Sequence, residues 1–128
     1  MEGNSLNSKD NKIIDVFSDL GIPKNLAKTL MYISKVEECR SSEIEHGANL
    51  RQPEVSVAMQ QLTDFGWISK RNKKKEGKGR PIYLYKMETT LDDIIEHYEQ
   101  EKLTQINTIK NDLKELKELL QNRKNEIK

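Results

Sequence analysis

Apolar residues recur at helical spacing over the first third of the chain and predict two short helices in succession. The first has an apolar stripe that stops at Gly21 and consists of Ile13, Ile14, Val16, Phe17 and Leu20. Pro23 suits the first turn of the second helix. We expect this second helix to support a small core, because one face carries Leu26, Ala27, Leu30, Ile33 and Val36.

The middle of the chain has the pattern of a helix-turn-helix. Ser42 with Glu45 fits a capping box and predicts a helix of about two turns that ends at Gly47. After a tight turn, Pro53 fits the first turn of a second helix, predicted over 52–65 and ended by Gly66. The side of this helix that should pack inward carries Val55, Ala58, Met59 and Leu62.

The opposite side of the 52–65 helix is rich in uncharged hydrogen-bonding residues, which suit base edges and phosphates. The candidate DNA contacts are Arg51, Gln52, Glu54, Ser56, Val57, Gln60 and Gln61. A polar helix face wetted by solvent is the alternative for the serine and the glutamines. Val57 is either a contact to a thymine methyl group or a lone surface apolar residue, and the sequence does not decide between them.

Two strand-like segments follow, at 67–73 and 82–87, with Gly77 and Gly79 between them. They predict a β-hairpin whose tip is basic, since 70–80 carries seven cations and one acid, a net charge of +6. The rest of the chain is then at −5. A solvated charge run is the alternative to contact with phosphates or the minor groove. The candidate contacts of this wing, residues 70–82, are Lys70, Arg71, Lys73, Lys74, Lys75, Lys78 and Arg80.

The last part of the chain, from Thr90 to about Ile127, lacks glycine and proline and has apolar residues at alternating spacings of four and three. This pattern predicts one long helix of roughly 57 Å, too long for one small core to cover. We expect a homodimer through this helix, and the alternative is that it folds back on its own domain. Asp112 and Lys117 would pair in a parallel coil, although the orientation stays open. The candidate interface residues are Leu91, Ile95, Tyr98, Ile106, Ile109, Leu113, Leu116 and Leu120.

Composition sets the limits of this interpretation. With 128 residues, we expect a flexible segment over 1–10, one domain over 11–88 and the helix over 89–128. The fold class is mainly α with a small β-hairpin. No apolar run is long enough to span a membrane, the polar start lacks the apolar core of a signal peptide, and a single cysteine forms no internal disulfide. A cytoplasmic location follows from these features.

Candidate chemistry beyond DNA binding is sparse. Cys39 lies beside Glu37 and Glu38, whose charge raises a thiol pKa, so redox sensing is disfavoured. His46 and His97 have no companion cysteine for a structural zinc site. No nucleophile has a recognisable base, and no glycine-rich phosphate loop follows a strand. We therefore expect no enzyme activity, no metal and no cofactor.

In combination, these segments resemble the winged helix-turn-helix transcriptional regulators of the MarR and TrmB-like type. The resemblance covers roughly residues 10 to 87 and rests on 42–44, 53–62, 64–68 and 77–81. It implies a dimeric regulator that binds pseudo-palindromic double-stranded DNA, with helices outside the winged domain at the interface. An unidentified small-molecule effector is a further partner left open. A winged-helix module that docks proteins without sequence-specific DNA binding is the alternative.

Overall fold

The computed structural model describes residues 5–73 and 81–127, and within these ranges it contains five helices and a two-stranded hairpin. The elements are α1 (Ser8–Asp19), α2 (Lys24–Ser34), α3 (Ser41–Ala48), α4 (Gln52–Asp64), β1 (Ile68–Lys73), β2 (Ile82–Met87) and α5 (Leu91–Ile127). The fold is mainly α with a small β-hairpin, as predicted. The chain divides into two compact units, Met1–Thr90 and Leu91–Lys128.

The start of α1 is held by side chains. Asn7 and Asp10 form a capping box, in which each side chain accepts a hydrogen bond from the other residue's backbone N–H at 2.9 Å. Lys35 Nζ donates to Asp10 Oδ2 at 2.6 Å, and the Leu6 N–H donates to the Gly47 carbonyl. The described part of the segment predicted to be flexible therefore contacts the rest of the first unit through Leu6 and Asp10.

The core of the first unit is built around α2, which packs against α1, α3, α4 and β2. Four of the five residues predicted for its inner face are buried, and Val36, which follows the helix, is half-buried. The stripe predicted for α1 is only partly inside. Ile14 and Phe17 are buried, whereas the other three members are exposed, namely Ile13, Val16 and Leu20.

α3 and α4 form the predicted helix-turn-helix, with one change at the first cap. Glu43 Oε1 accepts the Arg40 N–H at 2.9 Å, so α3 begins at Ser41 and the predicted pairing of Ser42 with Glu45 is wrong by two residues. α3 ends with Asn49 in the left-handed region at φ 54°, a conformation that asparagine tolerates and that turns the chain toward α4.

β1 and β2 pair in antiparallel register, with Lys70 opposite Tyr85 and Lys73 opposite Ile82. An isolated bridge joins Cys39 to Tyr85 through two backbone hydrogen bonds, so the segment before α3 lies along the outer edge of β2. Gly66, at φ 79°, makes the turn that connects α4 to the hairpin. These contacts fix the base of the hairpin against the helix-turn-helix.

The second unit is the single helix α5 of 37 residues, which matches the long helix predicted from Thr90 to about Ile127. Of the residues proposed for its interface, Leu91 and Tyr98 are half-buried and the other six are exposed. Ile94, which was not selected from the sequence, is the buried residue of this helix. Across 5–73 and 81–127, no helix has the length and apolar character needed to cross a bilayer.

Candidate nucleic-acid interface

The inward side of α4 is the one predicted from its periodicity. Val55, Ala58, Met59 and Leu62 are buried, and this packing fixes the rotation of the helix about its axis. The outward side therefore holds the candidate contacts. All seven are exposed except Glu54, which is half-buried.

One edge of α4 borders an open groove of about 450 Å³ between this helix, the start of α3 and the hairpin. Ser56 and Gln60 line it together with Lys70 of β1, so the groove joins the hydrogen-bonding face of α4 to the base of the wing. The remaining lining residues are Ser41, Gln52, Met59, Thr63 and Tyr85. Ser41 and Thr63 were not predicted, because their position depends on how α3 and the hairpin meet α4.

The other edge of α4 borders a second open groove of about 430 Å³ toward the start of α2. Gln61 and Val57 lie here with Pro23, Asn25 and Pro53. Val57 is 60% exposed, so this edge offers an apolar group to a partner. The candidate contacts of α4 thus divide between two edges of one exposed face.

Glu54 is engaged in holding the start of α4. Its Oε1 accepts the Arg51 N–H at 2.9 Å and lies 3.4 Å from Arg51 Nε, while Oε2 accepts from Asn25 Nδ2 at 3.1 Å. The hydrogen bond from the Arg51 backbone, followed by those of the Arg51 and Asn25 side chains, lowers the pKa of the Glu54 carboxyl despite an opposing effect of burial. Glu54, which was predicted as a DNA contact, therefore has a structural role at the start of α4 that does not depend on DNA.

Gln60 has a fixed neighbour on the exposed face, because its Nε2 donates to Asp64 Oδ1 at 3.0 Å. A carboxylate only accepts hydrogen bonds, so the amide nitrogen must face Asp64. The carbonyl oxygen and the second N–H of Gln60 remain available to a partner. Asp64 was not predicted as part of the site, although its spacing of four from Gln60 would have been a signal for such a pair.

The described wing cations differ in their surroundings. Lys70 Nζ lies 4.8 Å from the centre of the Tyr83 ring. Arg71 forms a two-pronged ion pair with Glu38, at 2.7 Å and 2.9 Å, which lowers the pKa of the Glu38 carboxyl and ties β1 to the segment before α3. Lys73 is exposed at the end of β1. The remaining four candidates lie outside the described residues, namely Lys74, Lys75, Lys78 and Arg80.

Other reactive groups do not form a site with these residues. Cys39 is buried, and burial together with the nearby charges of Glu43 and Glu38 raises the pKa of its thiol to about 12. His97 Nε2 lies 3.9 Å from a Glu101 oxygen on α5. In the ranges that the structure covers, no group of three or more histidine, cysteine, aspartate or glutamate residues is placed to hold a metal ion.

Comparison with known proteins gives structural matches only. No protein-family profile matches the chain, and no curated protein matches it in sequence. A structure described as a possible transcriptional regulator from Methanosarcina mazei matches with a TM-score of 0.66 and 16% identity, covering 81% of this chain and 88% of that one. The structure of NadR in complex with 4-hydroxyphenylacetate matches with a TM-score of 0.51 and 14% identity, covering 86% and 76%.

A MarR family regulator from Neisseria meningitidis also matches, at 16% identity and a TM-score of 0.49, with 92% of this chain and 89% of that chain covered. At 16% and 14% identity, the likeness to the Methanosarcina mazei structure and to NadR concerns the fold alone. It agrees with the helix-turn-helix of α3 and α4 and the hairpin that follows it. The chain has a winged-helix fold, in which a helix-turn-helix is followed by a β-hairpin, and it shares this fold with the Methanosarcina mazei structure.

Proposed function

We propose that this chain is a transcriptional regulator that binds double-stranded DNA and selects its site through α4. The observation that carries the proposal is the exposed hydrogen-bonding face of α4, which shares a groove with Lys70 at the base of a basic hairpin. An α-helix fits the major groove of B-DNA, and glutamine and serine side chains match the donors and acceptors of base edges. The wing, residues 70–82, would then contact the backbone or the adjacent minor groove.

The two surfaces have different tasks in this proposal. Ser56 and Gln60 offer directional hydrogen bonds, and these distinguish one base pair from another. The wing cations supply attraction to phosphates on any sequence. Among the described residues, Lys70 and Lys73 of the wing pair with no carboxylate, whereas Arg71 is paired with Glu38.

We further propose a homodimer formed through α5 that acts as a repressor by covering promoter elements. The exposed apolar side chains of α5 from Ile106 to Leu120 would be costly to leave in water, and a second copy of the helix would cover them. Two winged units then bind two half-sites, which is the reason to expect a pseudo-palindromic operator.

The proposal also covers catalysis, location and a small-molecule effector. We propose no catalytic role, because the sequence offers no recognisable pairing of a nucleophile with a base. A cytoplasmic location is part of this proposal. A small-molecule effector fits the comparison with NadR, which was solved with 4-hydroxyphenylacetate.

Fluorescence anisotropy with labelled duplexes tests DNA binding directly. At low salt we expect binding to random duplexes, because phosphate attraction does not depend on sequence. Ser56→Ala and Gln60→Ala should preserve this non-specific binding, and Gln121→Ala on the exposed surface of α5 is the matched control. If the wild-type protein shows no binding to any duplex at low salt, the DNA proposal is wrong and the protein-docking alternative takes its place.

Sedimentation of the full chain and of a version ending at Thr90 tests the dimer. We expect a dimer for the full chain at micromolar concentration and a monomer for the shortened version. A monomeric full chain would contradict the dimer, while DNA binding by the winged unit would still be decided by the anisotropy experiment.

A further inference from the structure

Two copies of α5 can pair in two directions, and the proposed homodimer, on which this inference rests, does not choose between them. From Ile106 onward the apolar residues follow a heptad repeat abcdefg without interruption for two heptads. Position a is occupied by Ile106, Leu113, Leu120 and Ile127, and position d by Ile109, Leu116 and Arg123. The six apolar side chains among these are between 46% and 75% exposed, so this seam lacks a cover within the described chain.

The positions that flank the seam carry an asymmetric set of charges. Position e is lysine three times in succession, at Lys110, Lys117 and Lys124. Position g carries no base and is occupied by Gln105, Asp112, Leu119 and Glu126. The flanks of a two-stranded coil lie where the two helices meet, and their charges decide which orientation is favoured.

The two orientations bring different flanks together. In an antiparallel coil, each e position faces an e position of the other helix, so any register that overlaps the seam places lysine opposite lysine. In a parallel coil, each g position faces the e position five residues further along the other helix. Asp112 then faces Lys117 of the partner subunit, and this ion pair occurs twice in the dimer.

We infer that a second copy of this chain covers the seam of α5 in parallel orientation. The charges disfavour the antiparallel arrangement because it replaces two opposite-charge contacts with like-charge contacts. One residue opposes the parallel orientation, since the two Arg123 side chains would face each other in it. They lie one turn from the end of the helix, where long side chains extend into water.

The orientation has a direct consequence for DNA binding. Helices of a coil lie about 8–10 Å apart, so a parallel coil holds the two Ile106 positions at about that separation. Both winged units are then attached at the same end of the coil and are available to one DNA site. An antiparallel coil would instead attach them at opposite ends of a helix pair roughly 50 Å long.

Reversing the charge at position e tests the orientation through the sign of its effect. Lys117→Glu places glutamate opposite Asp112 in the parallel coil, so we expect the dimer Kd to rise roughly 3-fold to 30-fold. Adding Asp112→Lys restores the opposite charges and should recover most of the loss. In an antiparallel coil, position 117 faces an e position of the other helix, which is Lys110 or position 117 itself. Lys117→Glu would then either face lysine and tighten the dimer or exchange one like-charge contact for another, and in neither register would it weaken the dimer. Lys114→Glu, at the outward position b, makes the same charge change and should leave the Kd nearly unchanged.

Disulfide cross-linking of full-length variants gives a second, geometric test. Mixed and oxidised Ile106→Cys and Arg123→Cys chains should yield only the two symmetric products, 106 with 106 and 123 with 123, as identified by mass. An abundant 106–123 product in a dimeric protein, or tighter dimerisation by Lys117→Glu, would overturn the parallel orientation alone. A monomeric full chain would overturn this inference together with the proposed homodimer. Neither result would change what the anisotropy experiment shows about DNA binding.

Discussion

At the scale of single residues, several side chains on the proposed DNA-facing surface are fixed by partners far away in the sequence. Glu54 accepts from Asn25, which is 29 positions earlier, and Arg71 pairs with Glu38, which is 33 positions earlier. Sequence reasoning placed Glu54 on the outward side of the 52–65 helix and Arg71 in the wing, but it gave no access to such pairs. For the same reason, Glu54 and Arg71 were selected as DNA contacts when the structure gives each a role in the fold.

The role of Glu54 predicts a pH-dependent loss of stability in Glu54→Gln. Because hydrogen bonds lower the folded pKa of this carboxyl below its ordinary 4.5, its stabilising effect is present above about pH 4.5 and is lost as the pH falls through the folded pKa. We expect Glu54→Gln to have a lower Tm than the wild type at pH 7, and we expect this difference in Tm to shrink as the pH falls below about 4.5. Thermal unfolding followed by circular dichroism measures both.

Glu96→Gln is the matched control for this prediction, because Glu96 is exposed on α5 and has no hydrogen-bond or ion-pair partner among the described residues. It should change the Tm little at either pH. Equal Tm values for wild type and Glu54→Gln at pH 7 would show that the cap of α4 does not depend on this carboxylate.

Gly47 is required by a close approach within the core. A Cβ added there would lie 1.9 Å from Tyr32 Cε1 and 2.3 Å from Cδ1, and the Tyr32 ring is buried. We expect Gly47→Ala to lower the free energy of unfolding by about 2–3 kcal/mol, measured by urea denaturation. Adding Tyr32→Leu should make the two changes non-additive, since the smaller side chain removes the clash.

Gly21→Ala separates this effect from the general cost of losing a glycine. Nothing lies within 4 Å of a Cβ at position 21, and the strain there comes from φ +95° alone. We expect its penalty to persist unchanged beside Tyr32→Leu. Full additivity of Gly47→Ala with Tyr32→Leu would mean that the ring does not cause the requirement for glycine.

At the scale of elements, the long periodic segments were the most predictable. The helix expected over 52–65 is Gln52–Asp64, and the strand expected over 82–87 is Ile82–Met87. Their signals are local, since the inward face repeats every three or four residues in a helix and every two in a strand. The bridge between Cys39 and Tyr85 was missed because a single bridged residue carries no periodic pattern.

The start of α1 and the burial of its stripe could not be read from the sequence. Asp10 joins α1 to Lys35, a partner 25 positions later, and the polar composition of the segment gave no sign of this contact. Ile13, Val16 and Leu20 lie on helical spacing, yet only packing decides which side of a stripe is covered. In α5 the spacing selected Ile95, whereas its neighbour Ile94 is the buried residue.

The different chemistry of α4 and the hairpin predicts two kinds of mutant in DNA binding. Lys73→Gln removes an exposed cation, so it should weaken binding to every duplex and flatten the slope of log affinity against log salt by about 0.9. Gln60→Ala should leave this slope nearly unchanged and cost about 1–3 kcal/mol on the preferred sequence only. The measurement is affinity against salt concentration on preferred and scrambled duplexes.

Arg71→Gln is the informative comparison within β1. Arg71 has the same charge as Lys73 but is paired with Glu38, so its loss should alter the salt slope much less. Equal slopes for wild type and Lys73→Gln would show that this end of the hairpin does not touch the DNA backbone. Equal effects of Arg71→Gln and Lys73→Gln would show that the ion pair opens on binding.

At the scale of the whole molecule, the chain forms two units to which we assign two tasks. The winged unit carries the helix-turn-helix and the hairpin, and α5 forms a unit by itself. The sequence favoured a boundary near Thr90 for two reasons. Glycine and proline occur repeatedly before it, as in Gly77, Gly79 and Pro81, and neither residue occurs after it. The groove beside α4 was not predictable from the sequence, since it joins residues from four elements, α3, α4, β1 and β2.

Selection of bound duplexes from a random pool by the full-length protein tests the central claim most directly. The account predicts enrichment of one sequence arranged as an inverted repeat, with half-sites about one helical turn or a multiple of it apart, because two copies of α4 bind together. Gln60→Ala should bind the same pool with a relaxed preference at one position of each half-site. Recovery of a pool no different from the starting one, at a salt concentration where the protein is bound, would contradict sequence-specific binding through α4.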